Sequence, residues 1–308
     1  MLSKGRRVDF RKYLPCLFFG IIFCFIGYLN QNAEAAVPSP WLNRDIGTAS
    51  NGSANFANNQ FTVSGAGIGI GSLTDTFHYV YQPYTGDVEI IAKVESIGNS
   101  DVNAKSGVMI RETLTNTSKN VLMTLTSGST SYLTRRTSTN GSTVSTAGTN
   151  VRAPYWVKLV RRGNNFYGYQ SPDGSLWTQV GGVIANTMTV NVYVGLAANS
   201  GKAATYNASV FSNVSVKPAV PPSAPLLNTL TGGPGQVDLS WNASSTATSY
   251  KVKYGTVSGT YSTTLTLGNI TSTSVTGLSN GTNYYFVVTA VNDYGESVVS
   301  NQLSATPL

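Results

Sequence analysis

Apolar and polar positions along this chain alternate in short runs, and no stretch keeps the three-to-four residue period of an amphipathic helix. β-Branched and aromatic residues cluster in segments of five to ten, separated by Gly, Asn, Ser and Asp. That pattern predicts strands joined by turns, in a sandwich or barrel. The predicted strands cover 61–63, 77–82, 88–97, 107–113, 121–126, 155–162, 165–171, 190–197 and 206–216, with a second set of shorter strands over 226–308. Within the second strand Phe77, Tyr79 and Tyr81 share one face and His78 and Val80 the other, because successive strand residues point to opposite sides. Along 107–113, Val108 and Ile110 alternate with Met109 and Arg111, so Arg111 is expected to face away from the core.

Two segments break the pattern. Lys4, Arg6, Arg7, Arg11 and Lys12 precede an apolar run over 14–29 and the small-residue triplet Ala33-Glu34-Ala35. This three-part order predicts a secretory signal peptide over 1–35, and the run is shorter than the roughly 20 residues of a spanning helix. The expected mature protein is extracellular, in solution or at the cell surface, with no membrane contact once the peptide is cleaved. The second break holds four prolines between Lys217 and Pro225. Proline lacks the N–H a sheet interior needs, so 218–225 is expected to be an extended linker between domains at 36–217 and 226–308. Few contacts should cross it, which would let each side fold by itself.

Composition narrows the classes. Both cysteines, Cys16 and Cys24, fall inside the leader, so the mature chain has no disulfide and no thiolate chemistry. The formal charge of +7 also shrinks: five bases and two acids precede residue 36, leaving fifteen against eleven, a net of +4. Those bases are scattered, which argues against a nucleic-acid partner.

Residues 226–308 resemble a fibronectin type III domain. The carriers are Val237-Asp238-Leu239-Ser240-Trp241, Ser249-Tyr250-Lys251-Val252-Lys253-Tyr254, the run from Leu278 to Asn292, and Gly295-Glu296-Ser297. The resemblance implies an immunoglobulin-like sandwich, with Trp241 between the sheets and Tyr284 as the tyrosine corner. Residues 41–216 resemble a bacterial family of concanavalin A-like jelly-roll modules. Its carriers include Asp45-Ile46-Gly47, the run from Phe61 to Gly67, the run from Ala104 to Glu112, Pro154-Tyr155-Trp156-Val157-Lys158-Leu159-Val160-Arg161, and Ser171-Pro172-Asp173-Gly174. The fold class that follows is all-β: a jelly-roll sandwich and then a fibronectin type III sandwich. The chain departs from the jelly-roll family's pattern at three places. Tryptophans often found there are replaced by Gly71 and Asn103, and a Ser-His pair by Ser200-Gly201. A ligand site built from those side chains in relatives would be lost or rebuilt here.

The candidate chemistry is binding rather than catalysis. Tyr79 and Tyr81, as flat rings, and Arg111 and Arg136, as planar donors, are the expected glycan-binding residues, on an exposed concave face. The competing expectation for the tyrosine row is that it packs in the core between the two sheets, with His78 outside. His78 has no nucleophile elbow of the Gly-x-Ser-x-Gly kind beside it, so it is expected to be a polar guest in its strand rather than a general base. The Glu-x-Asp-x-x-Glu array of laminarinase-like jelly rolls is absent from the sequence. The expected protein is therefore an exported, non-catalytic binder of polysaccharide or surface glycan, with the fibronectin domain as spacer. The alternatives are a glycoside hydrolase or its accessory subunit, and a purely structural surface protein. No cofactor is expected; calcium is the one metal that the acids near Asp45, Asp75 and Asp101 could take.

Overall fold

A computed structural model describes residues 36–49 and 51–308. The expected signal peptide lies outside the described residues. Strands and turns make up the described chain, with no helix among them.

The first fifteen strands form one sandwich. They are β1 (Leu42–Ile46), β2 (Ser53–Ala57), β3 (Gln60–Gly67), β4 (Phe77–Thr85) and β5 (Val88–Ile97). Then come β6 (Lys105–Arg111), β7 (Asn120–Thr126), β8 (Ser131–Arg136), β9 (Val144–Ala147) and β10 (Tyr155–Arg162). β11 (Asn165–Ser171), β12 (Thr178–Gln179), β13 (Ile184–Ala185), β14 (Asn191–Asn199) and β15 (Lys202–Pro218) complete it. One sheet runs β1-β4-β14-β6-β7-β8-β9 and the other β12-β11-β10-β5-β15-β3-β2, with β13 beside β11. Non-sequential neighbours such as β14 between β4 and β6 are the crossovers of a jelly roll.

Alternation decides which side chains go in. Val80, Val108, Ile110, Val121 and Met123 from the first sheet meet Val63, Ile90, Val94, Leu159 and Phe211 from the second in one buried core. Each such side chain, fully removed from water, contributes about 1.5–3 kcal/mol. Ser171–Gly174 begins the turn between the paired strands β11 and β12: Gly174 adopts φ 77 and Asp173 Oδ1 accepts the N–H groups of Ser175 and Leu176. The glycine run beginning at Gly65 ends β3 and then bends, with Gly67 and Gly69 at φ 120 and 112.

The remaining strands form a second sandwich. They are β16 (Leu227–Gly233), β17 (Gln236–Trp241), β18 (Ser249–Gly255), β19 (Thr263–Leu267), β20 (Ser272–Thr276), β21 (Tyr284–Asn292), β22 (Gly295–Glu296) and β23 (Leu303–Ala305). A three-stranded sheet, β16-β17-β20, packs on β19-β18-β21-β22, with β23 on β21. Trp241 is buried between them and lies 5.6 Å from Tyr250, ring to ring. The Tyr284 hydroxyl accepts the Ser279 N–H at 3.2 Å, which ties the strand to the preceding turn.

The proline-rich segment is not the contact-poor spacer its composition implies. β15 runs on through Pro218, the Ala219 N–H donates to the Asp87 carbonyl, and Asn292 Nδ2 donates to the Val220 carbonyl. Tyr294, in the β21–β22 turn, donates its hydroxyl to the Glu89 carboxylate on the outer face of β5, and Arg162 donates to the Tyr294 carbonyl. Glu89 is buried, with Lys217 Nζ 3.0 Å from it and Lys158 Nζ 4.0 Å away. Lys158 is held in turn over the rings of Trp177 and Tyr169, at 4.3 and 4.8 Å. The fibronectin-like sandwich is thus seated on the first one. Tyr294→Phe leaves this buried carboxylate one donor short, so it should weaken docking by about 2 kcal/mol. Small-angle scattering should show a larger radius of gyration for the variant; an unchanged curve would mean that Tyr294 does not hold the two parts together.

Candidate functional site

The tyrosine row shares one face, as the alternation requires, and that face is turned away from the main core, but it is not exposed. Phe77 and Tyr79 are wholly buried and Tyr81 is 7% exposed. Together with Ile46, Ile70, Met109 and Leu122 they build a second small core on the outer face of the seven-stranded sheet. Tyr79 and Tyr81 stack at 5.3 Å. The Tyr79 hydroxyl donates its one proton between the carbonyls of Met109 and Tyr193, at 3.1 and 3.0 Å. Burial pushes that hydroxyl far above the ordinary phenol range.

Arg111 and Arg136 are buried as completely as the tyrosines. Both reach Asp75, which comes from the loop after the glycine run and has no exposed surface. Arg136 pairs with it in fork geometry, Nη2 to Oδ1 at 2.7 Å and Nη1 to Oδ2 at 2.8 Å; Arg111 Nη2 stands 3.4 Å from Oδ2. Asn120 Nδ2 donates to the same oxygen at 3.2 Å. Further guanidinium donors go to backbone carbonyls, Arg111 to Thr113 and Thr115 and Arg136 to Ser72, Ser118 and Gly141, while Arg111 Nη1 points at the Met109 sulfur. Burial lowers the Arg111 pKa and Asp75 opposes that shift. Three loops are tied down by this cluster, and they roof the end of the sheet where a ligand was expected. The assignment of Tyr79, Tyr81, Arg111 and Arg136 to a ligand surface is therefore corrected. A strand's period shows which face a side chain takes, not whether a loop covers it.

His78 is 1% exposed on the opposite face of β4. Its Nδ1 lies 2.8 Å from Asp45 Oδ1 and its Nε2 3.2 Å from Asn43 Oδ1. Asp45 also accepts the Gly52 N–H at 3.2 Å. Both ring nitrogens are occupied by β1, so neither is available to a substrate. The acids considered for calcium are committed elsewhere: Asp45 to His78, Asp75 to two arginines, Asp101 to the amide of Asn103. Among the described residues no cluster of three or more His, Cys, Asp or Glu side chains could hold a metal.

The three departures from the family pattern gather around Lys105. A Cβ on Gly71 would meet Lys105 Nζ at 3.9 Å, and one on Gly201 would lie 3.2 Å from the backbone of Asn103. Ser200 is buried, its hydroxyl donating to the Lys202 carbonyl at 2.6 Å. Lys105 is tethered through Nζ to the Ile70 carbonyl, and burial lowers its pKa. No aromatic ring stands at any of the three positions.

An open site exists elsewhere, at the end of the sandwich where the β2–β3 hairpin meets β15. It is a groove of about 600 Å³. Trp41, Phe56 and Phe61 supply its aromatic wall, with Phe61 5.2 Å from Trp41 and 4.7 Å from Phe56. Asn58 and Asn59 stand on the rim at φ 52 and 59. Two consecutive left-handed residues between paired Ala57 and Gln60 make the turn whose twist suits a two-residue hairpin, and asparagine tolerates it. Asn213, at φ 50, faces the groove from the irregular stretch of β15 between Ser212 and Ser215. The side chains of Asn58, Asn59 and Gln60 have no hydrogen-bond partner among the described residues, so their amides are free to meet a ligand.

Glu95 is the one carboxylate on this groove. It is bonded to the Ser212 hydroxyl at 2.5 Å and paired with Lys93 at 2.9 Å. Burial alone would raise its pKa, but those partners hold it below the ordinary carboxylate value. A second groove of about 470 Å³ begins on the other side of Glu95. Sequence reasoning missed this site because its parts come from four separate segments, around Trp41, Asn58, Glu95 and Asn213. The Asn58-Asn59 pair between two apolar runs was the one local signal, and it marks a turn rather than a ligand.

Fold and site together define an all-β protein made of two sandwiches, with an aromatic and amide-lined groove on the first. Residues 221–306 match the fibronectin type III domain family, and the second sandwich is such a domain. Over 87 residues the chain is 36% identical to the Kelch domain-containing protein SSO1033 of Saccharolobus solfataricus. That match covers 28% of this chain and 12% of the relative, so the chain spans only a small part of it. Among solved structures, a protein of unknown function from Saccharomyces cerevisiae is similar over 58% of this chain and 95% of its own, at 16% identity and a TM-score of 0.46. A carbohydrate-binding module from Bacillus subtilis is similar over 57% of this chain and 94% of its own, at 15% identity and a TM-score of 0.38.

Proposed function

We propose that this is an exported, non-catalytic glycan-binding protein that holds polysaccharide in the Trp41–Phe56 groove of its first sandwich. The observation that carries the reading is the pairing of two partly exposed rings, Trp41 and Phe56, with three unpartnered amides on one rim. Sugars present apolar ring faces and many hydroxyls with few charges. Such a ligand is met by flat rings that stack and amides that both donate and accept. Hydrolysis asks for two carboxylates on opposite sides of a glycosidic bond; Glu95 stands alone in its groove and is already committed to Lys93 and Ser212. The leader-like first 35 residues and the cysteine-free remainder support export. The fibronectin type III domain, seated on the sheet through Tyr294, acts as a fixed spacer that sets the direction of the groove.

The test is retention on insoluble cellulose, chitin and xylan, and on soluble polymers by affinity electrophoresis. Trp41→Ala is expected to weaken binding about tenfold, the worth of one stacked ring. Asn58→Gly keeps the left-handed turn while deleting an amide, and should cost about threefold to fivefold with the fold intact. If the wild-type protein is retained on no polysaccharide, the reading falls.

A further inference from the structure

Glu95 lines both the aromatic groove and its neighbour, so the two depressions are separated by a single side chain. On the far wall of the second groove stands Arg152. It is exposed, and it has neither a hydrogen bond nor an ion pair among the described residues. Arg161 is bonded to three backbone carbonyls, Arg111 and Arg136 are locked on Asp75, and Arg135 donates to Thr146. Glu95 does not neutralise Arg152, because Lys93 already takes it at 2.9 Å. The second groove therefore carries an uncompensated positive charge beside free polar groups at Ser96 and Asn99.

We propose that the ligand is an extended polysaccharide carrying carboxylate groups, laid across Glu95 so that a neutral ring face stacks on Trp41 while a uronate further along the chain pairs with Arg152. This rests on the glycan-binding reading and names its substrate class. The argument is one of size and charge. The first groove is already large enough for a ligand, and a site that continues past it suits a polymer rather than a monosaccharide. A guanidinium is planar and matches a carboxylate through two parallel N–H donors. The like charge of Glu95 sits at the crossing point, screened by Lys93, so the chain must place a neutral unit there and its acid beyond. Spanning both grooves joins two weak contacts in one chain, which raises affinity without a new contact.

The experiment compares glucuronoxylan and partly methyl-esterified pectin, in which neutral units separate the uronates, each against its own fully methyl-esterified form, by affinity electrophoresis with the full-length mature protein. At least one acidic polymer should bind about fivefold more tightly than its ester, the worth of one solvent-exposed ion pair. The preference should fade as salt is raised. Arg152→Ala should abolish the preference, bringing the acidic polymer to the affinity of its ester, and Trp41→Ala should weaken both forms equally. Lengthening xylo-oligosaccharides that carry a single glucuronate should raise affinity in a step once the acid reaches the second groove. Equal binding of acid and ester, or a preference that survives Arg152→Ala, overturns this inference and leaves the glycan reading standing. No retention on any polymer, neutral or acidic, removes both.

Discussion

Asp75→Ala is expected to destabilise the first sandwich by about 4 kcal/mol, the largest effect of any polar substitution in the protein. The carboxylate is wholly buried, and it is the shared partner of two guanidiniums that are wholly buried themselves. Removing one member of such a set strands the others without compensation, which typically costs 3–5 kcal/mol. The backbone carbonyls around Arg111 and Arg136 would remain, but they cannot replace a full negative charge. Asp75→Asn should fall between, since it retains an acceptor and loses the charge. Urea unfolding followed through the sandwich's own transition checks this. A loss under 1 kcal/mol for Asp75→Ala would show that water already reaches the cluster. The roof over the sheet depends on the same groups, so the alanine variant should also expose amides of 68–76 and 112–119 to hydrogen exchange ahead of global unfolding.

Tyr79→Ala is expected to cost about 3–5 kcal/mol, the range for an emptied aromatic core site. The ring is unexposed, stacks on Tyr81, and lies 5.7 Å from Phe77 and 5.9 Å from the Arg111 guanidinium carbon. Tyr79→Phe separates packing from hydrogen bonding. It keeps the ring and deletes the hydroxyl shared by two carbonyls, so about 1 kcal/mol should be lost. Both variants should retain whatever polysaccharide binding the wild type has, because no face of this ring reaches solvent. A folded Tyr79→Ala protein with unchanged stability and lost binding would reverse this assignment and return the site to the sheet face.

How far the sequence reads is clearest at β4 and β6. The alternation of Phe77, Tyr79 and Tyr81 with His78 and Val80, and of Met109 and Arg111 with Val108 and Ile110, showed which of these side chains share a face. The resemblance over 226–308 likewise located Trp241 and Tyr284 in their sandwich roles. Those are local properties: a strand has two sides, and a turn needs particular backbone angles. What local pattern did not carry is what lies on top of the outer side. Arg111 is paired with an aspartate 36 residues away and Arg136 with the same group 61 residues away. The loop that delivers Asp75 has no periodicity to announce its path.

The chain by itself therefore determined an all-β architecture, the position of its long strands, the fibronectin type III domain, and the shared face of the tyrosine row. Tertiary structure alone decided that this row is interior, that the linker is seated rather than free, and that the accessible groove lies between Trp41, Asn58, Glu95 and Asn213. The reason is the range of the forces involved. Steric and hydrogen-bonding rules act over neighbouring residues and leave a mark in the sequence. The burial of a charged side chain is tolerated only where every donor and acceptor around it has been matched, and the side-chain partners of Asp75, which are Arg111, Asn120 and Arg136, lie far along the chain from it.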